Sequence, residues 1–203
     1  NEMKKDSSTL KKIDLLFEKG LSPSALNTYL SCPLDFYYKY ALRINEKKEL
    51  EETIENSTQG TIIHEVLEEL YKEHSPTITE SSVDAMLKKY EALTDKLYLK
   101  QFPSKSYRYG KNLLYYKMAL KEIKLFLTQE KKQIQKKGPI EILGLEEPLD
   151  TTIEIETSQG KKTIVLKGNV DRIDAQNGQT RIIDYINISK FYNSEYRSSV
   201  KSN

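Results

Sequence analysis

Apolar and polar positions change their spacing once along the chain. Before Gly138-Pro139 the apolar residues recur every three to four positions, as on one face of a helix; after it they tend to alternate. Helices therefore come first and strands second. Ser22-Pro23 reads as a helix cap with proline in the first turn, and Ser31-Cys32-Pro33 as a break and restart, so two short helices are expected up to about Tyr40. Residues 45–58 are polar and read as a loop. Ile63, Val66, Leu67 and Leu70 then define an amphipathic helix over 61–72, starting near Gly60 and carrying His64 in its first turn. Another helix is expected over 82–100, ending before Pro103, and the longest over about 105–137. In that last helix Leu113, Tyr116, Leu120, Ile123, Leu127 and Ile134 form one stripe, while Lys117, Lys121, Lys124 and Lys131 fall mostly on another face.

Beyond Pro139, strands are expected over 140–145, 151–156, 162–173 and 181–188. Ile153 and Ile155 alternate with Glu154 and Glu156, and Asn177-Gly178, between the last two strands, is the strongest hairpin cue in the chain. The pattern predicts an α+β fold. A helical part over 21–137 precedes a mainly antiparallel sheet of about four strands over 138–190, within one domain or fragment spanning 1–203.

Composition narrows the class. A chain of 203 residues, 37% of them hydrophobic, can bury a core without disulfides or a structural metal. The single cysteine excludes an intramolecular disulfide, no apolar leader opens the chain, and no apolar run approaches the ~20 residues of a bilayer span. A cytoplasmic setting without membrane contact is expected. The net charge of +2 argues at first against a polycationic nucleic-acid binder. That figure averages opposed blocks: residues 44–85 sum to −8, and residues 86–137, with 14 basic and 4 acidic side chains, to +10. Such a surplus on two helices suits a phosphate backbone, with Arg108, Lys117, Lys121 and Lys124 as candidate DNA contacts. A solvated lysine-rich surface is the plainer alternative. Fourteen tyrosines, several beside basic residues as in Tyr107-Arg108-Tyr109, suit base stacking, but half-buried helical tyrosine is the favoured reading.

Two carboxylates carry the candidate chemistry. Asp171 and Asp184 lie between apolar residues on the two strands of the expected hairpin, where they can converge on a hard divalent cation. The alternatives are that Asp171 pairs with Arg172 or caps a turn, and that Asp184 faces solvent.

The tracts Gly168-Asn-Val-Asp171-Arg-Ile-Asp174 and Ile182-Ile183-Asp184-Tyr185 resemble the second and third nuclease motifs of RecB- and AddB-type members of the PD-(D/E)XK superfamily. Leu21-Ser-Pro-Ser-Ala-Leu26 with Tyr29, followed by Ser31-Cys32-Pro33-Leu-Asp-Phe36-Tyr37-Tyr38-Lys-Tyr40, is similar to the opening segment of that family, and Gly60-Thr-Ile-Ile-His64 to its Gly-x-x-x-His helix. The resemblance implies a restriction-endonuclease-like fold. It also implies a site in which His64, Asp171, Asp184 and the main-chain carbonyl of Tyr185 hold Mg²⁺ or Mn²⁺ for hydrolysis of DNA, with a helicase subunit or domain as a possible partner.

The departures are as informative. Active members carry lysine two residues after the third-motif aspartate, where it orients the attacking water; here that residue is Ile186. Either another cation serves, with Lys167 and Lys190 as candidates, or the chain binds without cutting. The family core continues with a helix, often bearing Gln-x-x-x-Tyr, and a further strand, but no glutamine follows Lys190. Cys32 matches the first of four cysteines that hold an iron–sulfur cluster in AddB-like relatives. With the other three absent no cluster is expected, and Cys32 is expected to be a small buried residue.

Overall fold

The computed structural model describes residues 7–44, 54–157 and 160–185. Helices α1 (Ser7–Lys19), α2 (Pro23–Ser31) and α3 (Pro33–Phe36) come first, with a π-helical turn over Tyr37–Ala41. Then follow α4 (Asn56–His74), the short strand β1 (Thr77–Ile78), α5 (Glu80–Gln101) and, after a 3₁₀ turn, α6 (Gly110–Lys137). Strands β2 (Ile140–Thr157), β3 (Gly160–Gln176) and β4 (Gln179–Ile183) close the order. The fold is α+β, with a helical N-terminal part and one four-stranded antiparallel sheet in the order β1-β2-β3-β4.

The chain packs into two compact units, one of residues 1–49 with 148–169 and one of residues 50–147 with 170–203, so β2 and β3 each contribute to both. In the first unit Ser22 caps α2 by accepting a hydrogen bond from the Ala25 N–H at 3.2 Å, with Pro23 opening the helix. Leu21, Ala25, Phe36 and Ile164 form its core. In the second unit α4, α5 and α6 bury Val66, Leu67, Leu70, Met86, Ile123 and Leu127 completely. Thr79 and Ser82 make a reciprocal cap at the start of α5.

The hairpin forms where its cue lies. Asn177 and Gly178 take φ of +53° and +75°, the two left-handed positions a type I′ turn requires, and fix the pairing of Arg172 with Ile183 and of Asp174 with Arg181.

Several expectations need correction. Helix α1 and strand β1 lie outside the elements the pattern predicts, and α4 begins at Asn56 rather than near Gly60, so His64 sits in its third turn. The strands expected over 140–145 and 151–156 are one strand, β2, which runs on through the turn-like residues Glu146, Glu147 and Pro148. Glu146 takes a left-handed φ of +52°, and a side chain at Gly144 would meet the Glu147 side chain at 2.3 Å. The polar tract is a local distortion within a continuous strand, with glycine giving the room. Cys32 is half-exposed at the junction of α2 and α3 rather than buried. Strand residues 186–188, most of the polar loop, Ile186 and Lys190 lie outside the described residues.

Candidate metal centre

His64 is the ninth residue of α4 and is half-buried. Its Nδ1 lies 3.3 Å from Oδ1 of Asp171, which β3 places at a buried position. The second oxygen of Asp171 accepts a hydrogen bond from the Tyr185 backbone N–H, which fixes the carboxyl orientation. Tyr185 is the second residue after β4, and its buried ring meets both His64 and Phe126 edge-on at about 5.5 and 5.4 Å between centroids. Asp184 follows Ile183, the register partner of Arg172, so its carboxyl lies near that of Asp171. Asp184 itself is exposed. Of the open alternatives, pairing of Asp171 with Arg172 does not occur: the Arg172 guanidinium engages Glu130 and Asp174 instead.

A fourth residue completes the cluster. One oxygen of Glu146, one of Asp171 and a ring nitrogen of His64 lie within 4.8 Å of one another. Sequence reading missed Glu146. The available signal was Gly144 inside a strand pattern, which marks a bulge that can re-aim the following side chains. Left-handed backbone at a non-glycine residue costs on the order of 1–3 kcal/mol and collects at functional sites.

The electrostatics are unbalanced. The hydrogen bond to Asp171 raises the pKa of His64 above its usual value, against the opposing effect of burial, and the charges of Asp171, Asp184 and Glu146 add to the rise. Burial pushes the Asp171 pKa upward, but hydrogen bonds from His64 and the Tyr185 N–H, with the His64 charge, outweigh it and hold the carboxyl below its ordinary range. Glu146 is raised by burial and by the charges of Asp171 and Glu68. Three carboxyls thus face one imidazole. Oxygen and imidazole donors of this kind fit Mg²⁺ or Mn²⁺, and the excess negative charge is what a divalent cation neutralises. Beside the cluster opens a cavity of about 540 Å³, lined by Asn56, Gly60, His64, Glu68, Glu146 and Tyr185 among others.

The remaining candidates lie elsewhere. The Lys167 ammonium donates to the Lys19 carbonyl at 2.8 Å, both in the first compact unit. Arg108 grips Asp95 through two hydrogen bonds of 2.7 and 2.8 Å, an acceptor it shares with the Tyr107 hydroxyl. Lys117, Lys121 and Lys124 are exposed on α6, interleaved with exposed Leu114, Met118 and Leu125, whereas Lys131 is tied to Asp84 at 2.6 Å. No helix among the described residues is long and apolar enough to cross a membrane.

Comparison with known proteins places these residues in a wider group. The family model of the PD-(D/E)XK nuclease superfamily matches residues 20–187. The chain is 27% identical over 204 aligned residues to an ATP-dependent helicase/deoxyribonuclease subunit of Clostridium perfringens (strain SM101), covering 86% of this chain. It is 28% identical over 189 residues to the same-named subunit of Alkaliphilus oremlandii, covering 83% of this chain. The chain spans 16% of the length of each of these relatives.

Proposed function

Because the chain belongs to the PD-(D/E)XK nuclease superfamily, we propose that it is the nuclease region of a DNA-processing protein, hydrolysing phosphodiesters at DNA ends or in single strands during repair or recombination in the cytoplasm. The observation that carries this reading is the convergence of His64, Glu146 and Asp171, with Asp184 near Asp171, beside an open cavity. The ligand set is His64, Asp171, Asp184 and the main-chain carbonyl of Tyr185, with Glu146 added. When bound, Mg²⁺ or Mn²⁺ supplies polarisation of the scissile phosphodiester and a lowered pKa for water.

The chain's own residues prepare the site. Asp171 is held ionised and oriented by the Tyr185 N–H. His64 gives up its proton to become a neutral nitrogen donor. Lys117, Lys121 and Lys124 present positive charge to the DNA backbone, and the names of the relatives support a helicase as partner. Orientation of the attacking water is the open step, since isoleucine at 186 has neither charge nor donor. For Lys167 to substitute, its ammonium would have to leave the Lys19 carbonyl.

That isoleucine favours a second reading, a non-cutting DNA-binding or structural module of a helicase–nuclease assembly. One assay separates the two: cleavage of single- and double-stranded DNA with Mg²⁺ or Mn²⁺ by this chain, by Ile186→Lys and by Asp171→Ala. Metal-dependent cleavage lost in Asp171→Ala excludes the non-cutting module. Weak activity that rises in Ile186→Lys places the missing function at residue 186. Absence of both DNA and metal binding in every form excludes both readings.

A further inference from the structure

Gly60 lies inside α4, one turn before His64 on the same face, and both line the cavity of about 540 Å³. Nothing among the described residues explains a glycine there. Its φ is not in the left-handed range, so the backbone does not need glycine's freedom. A Cβ built at this position meets no heavy atom of the described residues within 4 Å, so their packing does not exclude alanine either. Glycine is among the poorest residues for a helix interior, and the chain carries it where the fold alone would favour a side chain. The bare helix surface therefore has its use in the cavity.

We infer that Gly60 forms the floor of a nucleotide subsite, where the deoxyribose next to the scissile phosphate lies against the helix backbone. This rests on the nuclease reading of the adjoining cluster. The metal ligands set the orientation: a phosphate is drawn to the cation that His64, Glu146 and Asp171 would hold, and the uncharged sugar is left to face Gly60, one turn away. A helix rises about 5.4 Å per turn, close to the spacing between a phosphate and its neighbouring sugar, so contact at Gly60 and at His64 belongs to one strand. A side chain at residue 60 would fill the space the sugar takes.

The test uses the whole chain with Gly60→Ala and Gly60→Leu, read by melting temperature, Mn²⁺ titration and anisotropy of a fluorescein-labelled oligothymidylate. Gly60→Ala is expected to melt higher than the parent, because helix propensity rises and nothing is displaced. Mn²⁺ affinity should stay within about twofold in both variants, since neither touches a ligand atom. Oligonucleotide affinity should fall about threefold in Gly60→Ala and about tenfold or more in Gly60→Leu, the range expected when a contact surface is overfilled. A parent that binds Mn²⁺ while all three proteins bind the oligonucleotide equally overturns the subsite and leaves the metal centre standing. A parent that binds no Mn²⁺ overturns the nuclease reading and this inference with it.

Discussion

Strand β3 carries two charge clusters three residues apart, and they are built on opposite plans. Around Asp174 the charges balance and water is excluded. Arg172, 1% exposed, lies 2.8 Å from Glu130 and 2.9 Å from Asp174, while Arg181 grips both oxygens of Asp174 at 2.6 and 2.9 Å. The Tyr71 hydroxyl donates to Glu130, and the guanidinium of Arg172 lies 4.3 Å above the Tyr71 ring. Two acids meet two bases, and α4, α6, β3 and β4 are joined. Around Asp171 three carboxyls meet one imidazole beside an open cavity. A buried charge without its partner is strongly destabilising, so the balanced cluster is complete in itself, whereas the unbalanced one calls for an added cation. The first reads as structure and the second as a site.

The largest expected effect tests the structural half. Arg172→Met leaves Glu130 and Asp174 short of their buried partner and should cost about 3–5 kcal/mol in urea denaturation. Asp171→Asn keeps an oxygen for the Tyr185 N–H and loses only the half-buried pairing with His64, so it should cost no more than about 1 kcal/mol. Equal losses in the two variants would erase the distinction between the clusters.

Next in size is the response to metal. Mn²⁺ at about 100 times its dissociation constant should stabilise the native chain by about 2.7 kcal/mol, read as a rise in melting temperature. Asp171→Asn and His64→Gln should lose most of that shift. A conservative change in the other cluster, Arg181→Lys, should lower the starting temperature and keep the shift. If the shift survives in Asp171→Asn, the cation binds elsewhere.

The contrast between the clusters also explains how much the sequence disclosed. The hairpin, the Ser22 cap, the order of helices before strands and the pairing of the strands that carry Asp171 and Asp184 follow from short-range signals, because a turn dipeptide or a strand alternation is written within a few residues. His64, far away in the chain, is joined to them only by the resemblance to the nuclease motifs. Glu130 and Arg172 are 42 residues apart, and Glu130 stands in a lysine-rich stretch that reads as a solvated surface. Only packing of α6 on the sheet makes it a buried anchor. Glu146 was hidden for another reason: Gly144, Glu147 and Pro148 look like a turn, and the strand that runs through them is sustained by its neighbours in the sheet. Local propensity pointed to a break that tertiary pairing overrides.

Proton linkage gives opposite slopes at the open cluster. His64 has a raised folded pKa, mainly through its hydrogen bond to Asp171, so its contribution to stability is fully present below pH 6.5 and is lost as pH rises through the raised value. Metal must displace that proton. Mn²⁺ affinity measured by calorimetry should therefore rise with pH, by up to about tenfold per unit, and flatten once His64 is neutral. His64→Gln should remove the His64 part of both slopes and leave only what Glu146 contributes, and a pH-independent affinity in the native chain would exclude His64 as a ligand.

The smallest effect separates the two kinds of cluster most sharply. Burial and the charges of Asp171 and Glu68 raise the pKa of Glu146, so its ionised form at neutral pH opposes folding, and that opposition is relieved as pH falls through the raised value. Glu146→Gln keeps the shape and removes the repulsion. Without metal it should melt slightly higher than the native chain at neutral pH, by a few tenths of a kcal/mol in stability, and the advantage should fade towards acid pH. With Mn²⁺ the order should reverse, because the variant has lost a charged oxygen donor. No single substitution in the balanced cluster can produce that inversion, since each of its charges already has its partner in the fold. A Glu146→Gln chain that is less stable both with and without metal would mean that Glu146 belongs to the structural network rather than to the site.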